Sequence, residues 1–456
     1  MKFCMSSILL IGCVVGLSAC QVKESAVLSF NQEEDTSQVD QVQGAREVSE
    51  LLDFVGTGTR GVKVNQSFAI AIKDAVLADP SVKSAEKEVA VKEAAARQTE
   101  ARKDFNYTAT ALGGVEDVTD ETAGVAVILN ANRLLYDGGA IDASIQAENF
   151  AVEAAKQKYL ATANERAVYY THSWIELEKY NALNKLIEGR LGVLNPLLEQ
   201  LDKVAAAGVG DVSQVAAAQR TVFMIQAEQK DVTEKLAQAE LAFINGFGAL
   251  PKKTAFDSDL ISRAVPKLSI SKLAETSPGL LANYFAYRSA EAAAVAVEAQ
   301  DKFSVAFEAK LQRPFADSGY DSDETFGLVI NKKFYRGDQL KAQIQRAHAA
   351  AESQAEQVRA TYREGKRVIS SSRQMIKAMR SAIMLANENA EVTRDEIRYL
   401  RKQLIIGGST LDSVLSAEAR LYDAESKEIS FLADSRKAEV TILGATGKLL
   451  PLVGIK

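Results

Sequence analysis

The chain has little of what marks a metalloprotein, a disulfide scaffold or a nucleic-acid binder. Its 456 residues include three cysteines and two histidines. These are too few and too scattered for a structural metal site or a disulfide framework. Acidic residues outnumber basic ones by 60 to 54, a net charge of −6. No basic cluster reverses that balance, so nucleic acid is not an expected partner. Proline is scarce at seven residues, and aromatics make up 7 %. Apolar residues nonetheless reach 47 %, which excludes a disordered or collagen-like chain. No apolar run is long enough for a membrane-spanning helix, and the mean hydropathy of −0.08 is that of a water-soluble protein.

The first twenty residues stand apart. Lys2 opens a short positive segment, and Ile8 to Leu17 is an apolar run broken only by Gly12 and Gly16. That length suits the apolar region of a secretory signal and is too short to cross a bilayer. The run ends Leu17-Ser18-Ala19-Cys20, which resembles the bacterial lipobox. The resemblance implies a signal peptide over 1–19 and a lipid on the sulfur of Cys20. That lipid is the one covalent group expected; no cofactor and no metal are. Gln21, where Asp is the usual retention signal, implies sorting to the outer membrane. Cleavage would also remove Cys4 and Cys13, so no disulfide can form within the mature chain.

Beyond a polar stretch to residue 63, read as a tether and surface arm, the chain repeats itself. Pro80 recurs as Pro278 and Phe105 as Phe303, each 198 residues on. Leu135-Tyr136-Asp137-Gly138 recurs as Phe334-Tyr335-Arg336-Gly337, and Gly208 as Gly407, each 199 on. Gly248 recurs as Gly447 and Pro251 as Pro451. One offset is kept within two residues across most of the chain, so two tandem copies of one unit are expected. They occupy 64–250 and 278–450, joined by a linker over 251–277 and followed by a tail, 451–456.

The secondary-structure period changes twice inside each copy. Residues 80–104 are rich in Ala, Glu and Lys with three- and four-residue apolar spacing, and so are helical. Asp79 before Pro80 is an N-cap followed by proline at the first helical position. Period-two stretches follow. In the second copy Val305, Phe307, Ala309 and Leu311 alternate with Ser304, Ala306, Glu308 and Lys310. Each copy thus holds one hairpin of about ten-residue strands, with acidic loops GGVEDVTDETAG and ADSGYDSDE. The helical period then returns for 139–205 and 338–404, roughly 100 Å of helix at 1.5 Å per residue. A glycine break follows, at Gly208 and Gly210 or at Gly407 and Gly408, with Asp211, Ser409 or Thr410 as N-caps. A further helix covers 211–247 or 410–446. Its length and that of the short first helix together approach that of the long one. The economical geometry has the long helix reverse at the glycine turn, with the returning helix stacked end-to-end on the short one.

Four strands with apolar-out alternation have exposed edges, and their length matches outer-membrane barrel strands. Together with the duplication, the strand exits LLYDGG and KFYRGD and the turns AAGVGDVSQV and LIIGGSTLDSVLSAEARLYDAE make the chain resemble the TolC family of outer-membrane channel proteins. The resemblance covers about 64–454. It implies a mainly α fold with a small β part: a homotrimer with a twelve-stranded barrel in outer-membrane lipid and a helical tunnel through the periplasm. It implies docking on a periplasmic adaptor and an inner-membrane ABC exporter or RND pump. The linker and C-terminal segment would form an equatorial belt. Tyr136, Gly138, Gly139, Tyr335 and Gly337 would be the strand-to-helix corners. Conduction would be passive, and the acidic excess would favour cations.

At the turn, many family members carry acidic rings six and nine residues after the second-copy glycine. Here those positions are Ser413 and Ser416. A basic residue often sits two after the glycine, where this chain has Ser409, and its usual acidic partner corresponds to Gln214. Asp412 and Asp211 are nearby acids. A closed state held by weaker polar contacts, or a less cation-selective entrance, is therefore expected. The stretch Tyr399–Ala424 looks like the branch serving type I protein secretion. Small-molecule efflux is the alternative, and a lipid-anchored periplasmic coiled-coil scaffold without a pore is the alternative of another class.

Other signals carry less. Gly56-Thr57-Gly58-Thr59-Arg60-Gly61 matches a dinucleotide fingerprint but lacks the strand–turn–helix setting. Arg336-Gly337-Asp338 occupies a strand-to-helix corner. His172 and His348 are single histidines on different helices, and Trp174 and Tyr169-Tyr170 are expected to pack between helical columns. No nucleophile–base set is arguable, so no enzyme is expected. If Ser413 lines the constriction, Ser413→Asp raises the cation preference and alters the conductance measured in planar bilayers. Unchanged values would remove Ser413 from the constriction.

Overall fold

The computed structural model describes residue 48 and residues 67–117, 122–206, 212–252, 256–315, 321–334 and 337–455. The chain divides into two compact units, Met1–Gly58 and Thr59–Lys456. The architecture below is that of the second. Cys20 and the tether lie outside the described residues.

The elements run α1 (Phe68–Ala78), α2 (Pro80–Glu100), β1 (Asn106–Asp117), β2 (Thr122–Tyr136), α3 (Ala140–Ala206) and α4 (Val212–Phe247). The linker holds α5 (Ser258–Ala264) and α6 (Ile270–Glu275). The second copy has α7 (Pro278–Ala299), β3 (Ser304–Phe315), β4 (Asp323–Asn331), α8 (Gln339–Ile405) and α9 (Leu411–Ala445), followed by α10 (Leu449–Leu452). α3 and α8 each have 67 residues, as the uninterrupted helical period indicates.

Side-chain partners fix how the columns are built. α2 lies along the first part of α3: Lys103, just past α2, pairs with Asp142, and Asp79 at its start meets Arg166 and Tyr170. α4 lies along the rest, from Gln219 on Asp202 (3.4 Å) to Phe247 against Tyr170 (5.4 Å between rings). Tyr170 therefore touches the start of α2 and the end of α4, and the two helices stack end-to-end there. The second copy repeats this. His348 and Thr361 of α8 meet Glu298 and Asn283 of α7, while Arg394 and Arg401 meet Glu425 and Glu418 of α9. The copies are joined directly, since α7 and α9 also pack on α3.

The largest core cluster sits at this join. Trp174 is fully buried among Phe68, Phe243 and Phe247, with ring centroids 5.0–5.4 Å away and edge-on, the arrangement aromatic quadrupoles favour. Ile72, Phe256, Ile261, Leu443 and Leu450 extend the cluster into α1, the linker and the C-terminal segment. Tyr169, expected to pack between columns, instead stays 48 % exposed, edge-on to Tyr170 at 5.5 Å and with the Arg166 guanidinium over its ring at 5.1 Å.

The strands form one antiparallel sheet in the order β1-β2-β3-β4. The first hairpin departs from the expected ten-residue strands and twelve-residue loop. β1 and β2 have 12 and 15 residues, and pairing continues through Gly113↔Val125 and Gly114↔Gly124 to Asp117↔Thr122. A polar composition does not stop a ladder whose backbone groups can still pair. For the same reason Asp323 and Glu324, read as loop, begin β4 opposite Gln312 and Leu311.

Asp79 ties α2 to α3. Its carboxylate accepts from Ser81 N (2.8 Å), Arg166 Nε (2.6 Å) and Tyr170 Oη (2.7 Å) and is almost wholly buried. Burial pushes its pKa up, but the hydrogen bonds from Ser81, Tyr170 and Arg166 outweigh it and hold it below the usual value. A depressed folded pKa means that the ionised form's stabilisation is present above the unfolded carboxylate range and lost as pH falls through the folded value. Asp79→Ala is expected to cost about 1–2 kcal/mol through the cap alone. The gap between parent and variant in denaturant melts should stay constant near neutrality and narrow below about pH 4. A gap that persists unchanged in acid would show that the charge is not what matters.

Candidate functional site

Two regions combine unusual exposure with built geometry: the sheet and the α8–α9 turn. In the sheet, register places Tyr107, Leu129, Phe307, Leu311, Phe326 and Leu328 on one face, and Thr108, Asn130, Asn132, Glu308, Lys310 and Thr325 on the other. The apolar face is uncovered: Tyr107 is 73 % and Phe326 81 % exposed. The polar face carries the Lys310–Asp323 ion pair at 3.2 Å. β1 and β4 are both open edges, the feature that invites pairing with another chain. No described helix is long and apolar enough to cross a membrane.

The sheet joins the helices through the predicted corner residues. Gly138 and Gly139 have φ of +74° and +92°. A side chain at Gly138 would collide with Lys302, whose Nζ donates to the Gly138 carbonyl at 3.0 Å. Asp137 accepts from the Gly139 and Ile141 amides at 3.0 and 2.6 Å, closing the N-terminus of α3. Tyr136 packs on Phe303, 5.0 Å between rings. Gly337 has φ +58°; Tyr335 lies outside the described residues.

At the turn, Gly407 takes φ +75°, the left-handed conformation that ends a helix at small cost only in glycine. Thr410 caps α9 by accepting from Ser413 N at 3.2 Å, and the two hydroxyls are 2.8 Å apart. Gly408 and Ser409 complete the turn, while Asp412 and Ser416 are half-buried in the first turns of α9. Gly208, Gly210 and Asp211 lie outside the described residues. Gln214 falls in the first turn of α4, its side chain not among those described.

The sequence reading missed a charge network set back from the turn. Glu418, 2 % exposed, accepts from Arg190 (2.5 Å) and Arg401 (2.6 Å). Glu425 accepts from Arg190 (2.7 Å) and Arg394 (2.8 Å). Arg190 belongs to the first copy and the rest to the second. These charges lie farther from the turn than Ser409, Ser413 and Ser416. A signal did exist. Glu418 and Glu425 are seven apart, as are Arg394 and Arg401, so each pair shares a helix face. Arg401 and Glu418 also stand equally far from the Ser409–Thr410 turn, as do Arg394 and Glu425, which places them opposite one another in an antiparallel hairpin. The expected lone histidines are structural. His172 is half-buried, 3.2 Å from the Lys437 carbonyl, its pKa pushed down by burial, and His348 pairs with Glu298.

Comparison with known proteins agrees with this geometry. Residues 269–448 match the family model described as outer membrane efflux protein. No curated protein matches the chain. Among solved structures it is similar to CusC, studied for folding and transmembrane channel formation: TM-score 0.74, 16 % identity, over 85 % of this chain and 94 % of that one. It is similar to the outer membrane protein VceC of Vibrio cholerae: TM-score 0.72, 18 % identity, over 82 % and 95 %. It is also similar to the open MtrE outer membrane channel of Neisseria gonorrhoeae: TM-score 0.70, 15 % identity, over 83 % and 88 %. At these identities the likeness is one of fold.

Glu418→Ala leaves Arg190 and Arg401 facing each other with a carboxylate removed. Arg190 keeps Glu425 and Arg401 is half-exposed, so a loss of about 1–3 kcal/mol is expected for the charge-assisted hydrogen bonds removed, with faster hydrogen exchange at the amides of 411–425. Unchanged exchange there would show that the network does not hold the hairpin.

Proposed function

We propose that three copies of the chain form a conduit across the outer membrane and periplasm, on the premise that residues 269–448 match the outer membrane efflux protein model and that the described chain has the fold of the outer-membrane channels. The observation that carries this reading is the uncovered sheet, apolar on one face, polar on the other and open at both edges. Four strands cannot close on themselves, whereas three copies supply twelve, within the range of outer-membrane barrels. The apolar face then meets lipid, the polar face lines water, and no edge is left unpaired. The helical columns continue the passage towards a periplasmic adaptor and an inner-membrane transporter, which supplies the energy. Acylation of Cys20 would add a lipid anchor to the barrel.

For the cargo, the resemblance of Tyr399–Ala424 to the type I secretion branch supports a polypeptide. The name of the matched family supports small-molecule efflux instead. A deletion strain separates them: loss of a secreted polypeptide favours the first, and drug hypersensitivity with a normal secretome the second. Complementation tests the sheet. Asn130→Arg, on the polar face, should restore the lost phenotype. Leu129→Arg, one residue away, should not, because arginine on the lipid face costs about 2–4 kcal/mol at mid-bilayer. Equal complementation by both would overturn the barrel and leave a scaffold without a pore.

A further inference from the structure

The two ends of the sheet differ in charge. The ends nearest the helices carry Arg102, Lys103, Arg133, Lys302, Lys332 and Lys333 against Asp104, Asp137 and Asp301; the hairpin end of the second copy carries Asp321, Asp323 and Glu324 against Arg313. At the basic end, the base of β2, the turn after α2 and the start of α3 enclose a cavity of about 460 Å³. Arg133, exposed, lines it and lies in register with Phe307, on the apolar face and two residues beyond Ala131 on that face. Its Nε donates to the Lys103 carbonyl at 3.1 Å, and its guanidinium carbon is 5.2 Å from the centre of the Phe105 ring. Among the described residues no carboxylate lies within ion-pair distance of it. Lys103, also lining the cavity, is paired with Asp142. The α3 N-terminus is closed by Asp137. Of the two cations that line the cavity, Arg133 is the one without an ion pair among the described residues, and its Nε contact holds it in place.

At the same end of the sheet Phe105 meets Tyr107 and Phe307 at 5.8 and 6.1 Å, and Tyr136 meets Phe303 at 5.0 Å. Aromatic collars of this kind sit at the level of lipid headgroups. An arginine stacked on a ring at that level is suited to a phosphate, which it can bind with two parallel hydrogen bonds. We propose that Arg133 binds the headgroup phosphate of an anionic phospholipid in the leaflet nearest the helices. The acyl chains lie along Tyr107, Leu129 and Val127 on the apolar face. Closing the barrel would bring the basic end of a neighbouring copy's β4 beside β1, adding positive charge at the same height. This site rests on the lipid-facing reading of the sheet proposed above.

The test uses the full chain, delipidated and reconstituted in vesicles of phosphatidylcholine with or without phosphatidylglycerol, then examined by native mass spectrometry for retained lipid. Wild type should retain phosphatidylglycerol about tenfold over phosphatidylcholine, whose phosphate carries a choline cation that would stand against the guanidinium. Arg133→Gln should abolish the preference and Arg133→Lys should keep part of it. Arg313→Gln, at the opposite end of the same face, should leave it intact. Glycerol phosphate in solution should not displace the lipid; displacement would make the site one for free phosphate and overturn the proposal. Insertion with no preference in wild type, or an unchanged preference in Arg133→Gln, would overturn the site alone. Failure to enter either vesicle would overturn the channel reading, and this site with it.

Discussion

Every other feature depends on a 67-residue helix having something to pack against along its whole length. Helices in proteins are held chiefly by the burial of a face rather than by intrinsic propensity. α3 carries charge on all sides, so it cannot be stabilised by one partner over one stripe. α2 and α4 pack along it in succession, α7 and α9 from the second copy pack on it too, and α1 and α10 add shorter contacts. The succession has a seam, and the seam is where the large side chains are. Asp79 and Phe247 meet on Tyr170, and Trp174 fills the space one turn further on. Distances to the sheet at one end and to the turn at the other are set by helix lengths counted from that seam.

This explains why so much of the fold could be read from spacing. Helix length, proline-free runs and glycine breaks are properties of contiguous sequence, and the two copies check one another. Gly138 and Gly407 were legible because only glycine serves where φ is positive and, at Gly138, where Lys302 crosses at contact distance. The extent of the first hairpin was not legible. Gly113, Gly114 and Asp117 have low strand propensity, and their pairing is decided by the opposite strand. The Arg190 contacts were not legible either, because they join residues 228 and 235 positions apart. Within the α8–α9 hairpin, by contrast, the mirrored arginines and glutamates could have been found by folding the sequence about its turn.

The charge network gives the turn a different construction from one gated at its tip. At the turn, hydroxyl contacts between Thr410 and Ser413 are exposed to water, where neutral hydrogen bonds contribute little net stability. Set back from it, Glu418 is buried between two guanidinium groups. There the dielectric is lower and the loss of one partner is costly. The tip is thus free to adapt while the hairpin is held firmly to the first copy above it. Arg190 is the single residue through which the first copy reaches both glutamates.

The soluble-looking mean hydropathy follows from the same division of labour. The long helices are rich in charge and stand in water, while the apolar surface is concentrated on one face of short strands. Averaging over the chain hides a patch on which alternate residues, not consecutive ones, are apolar. Nor does the patch end at random. Aromatic rings and lysines gather where the strands meet the helices, and carboxylates gather at the hairpin end of the second copy.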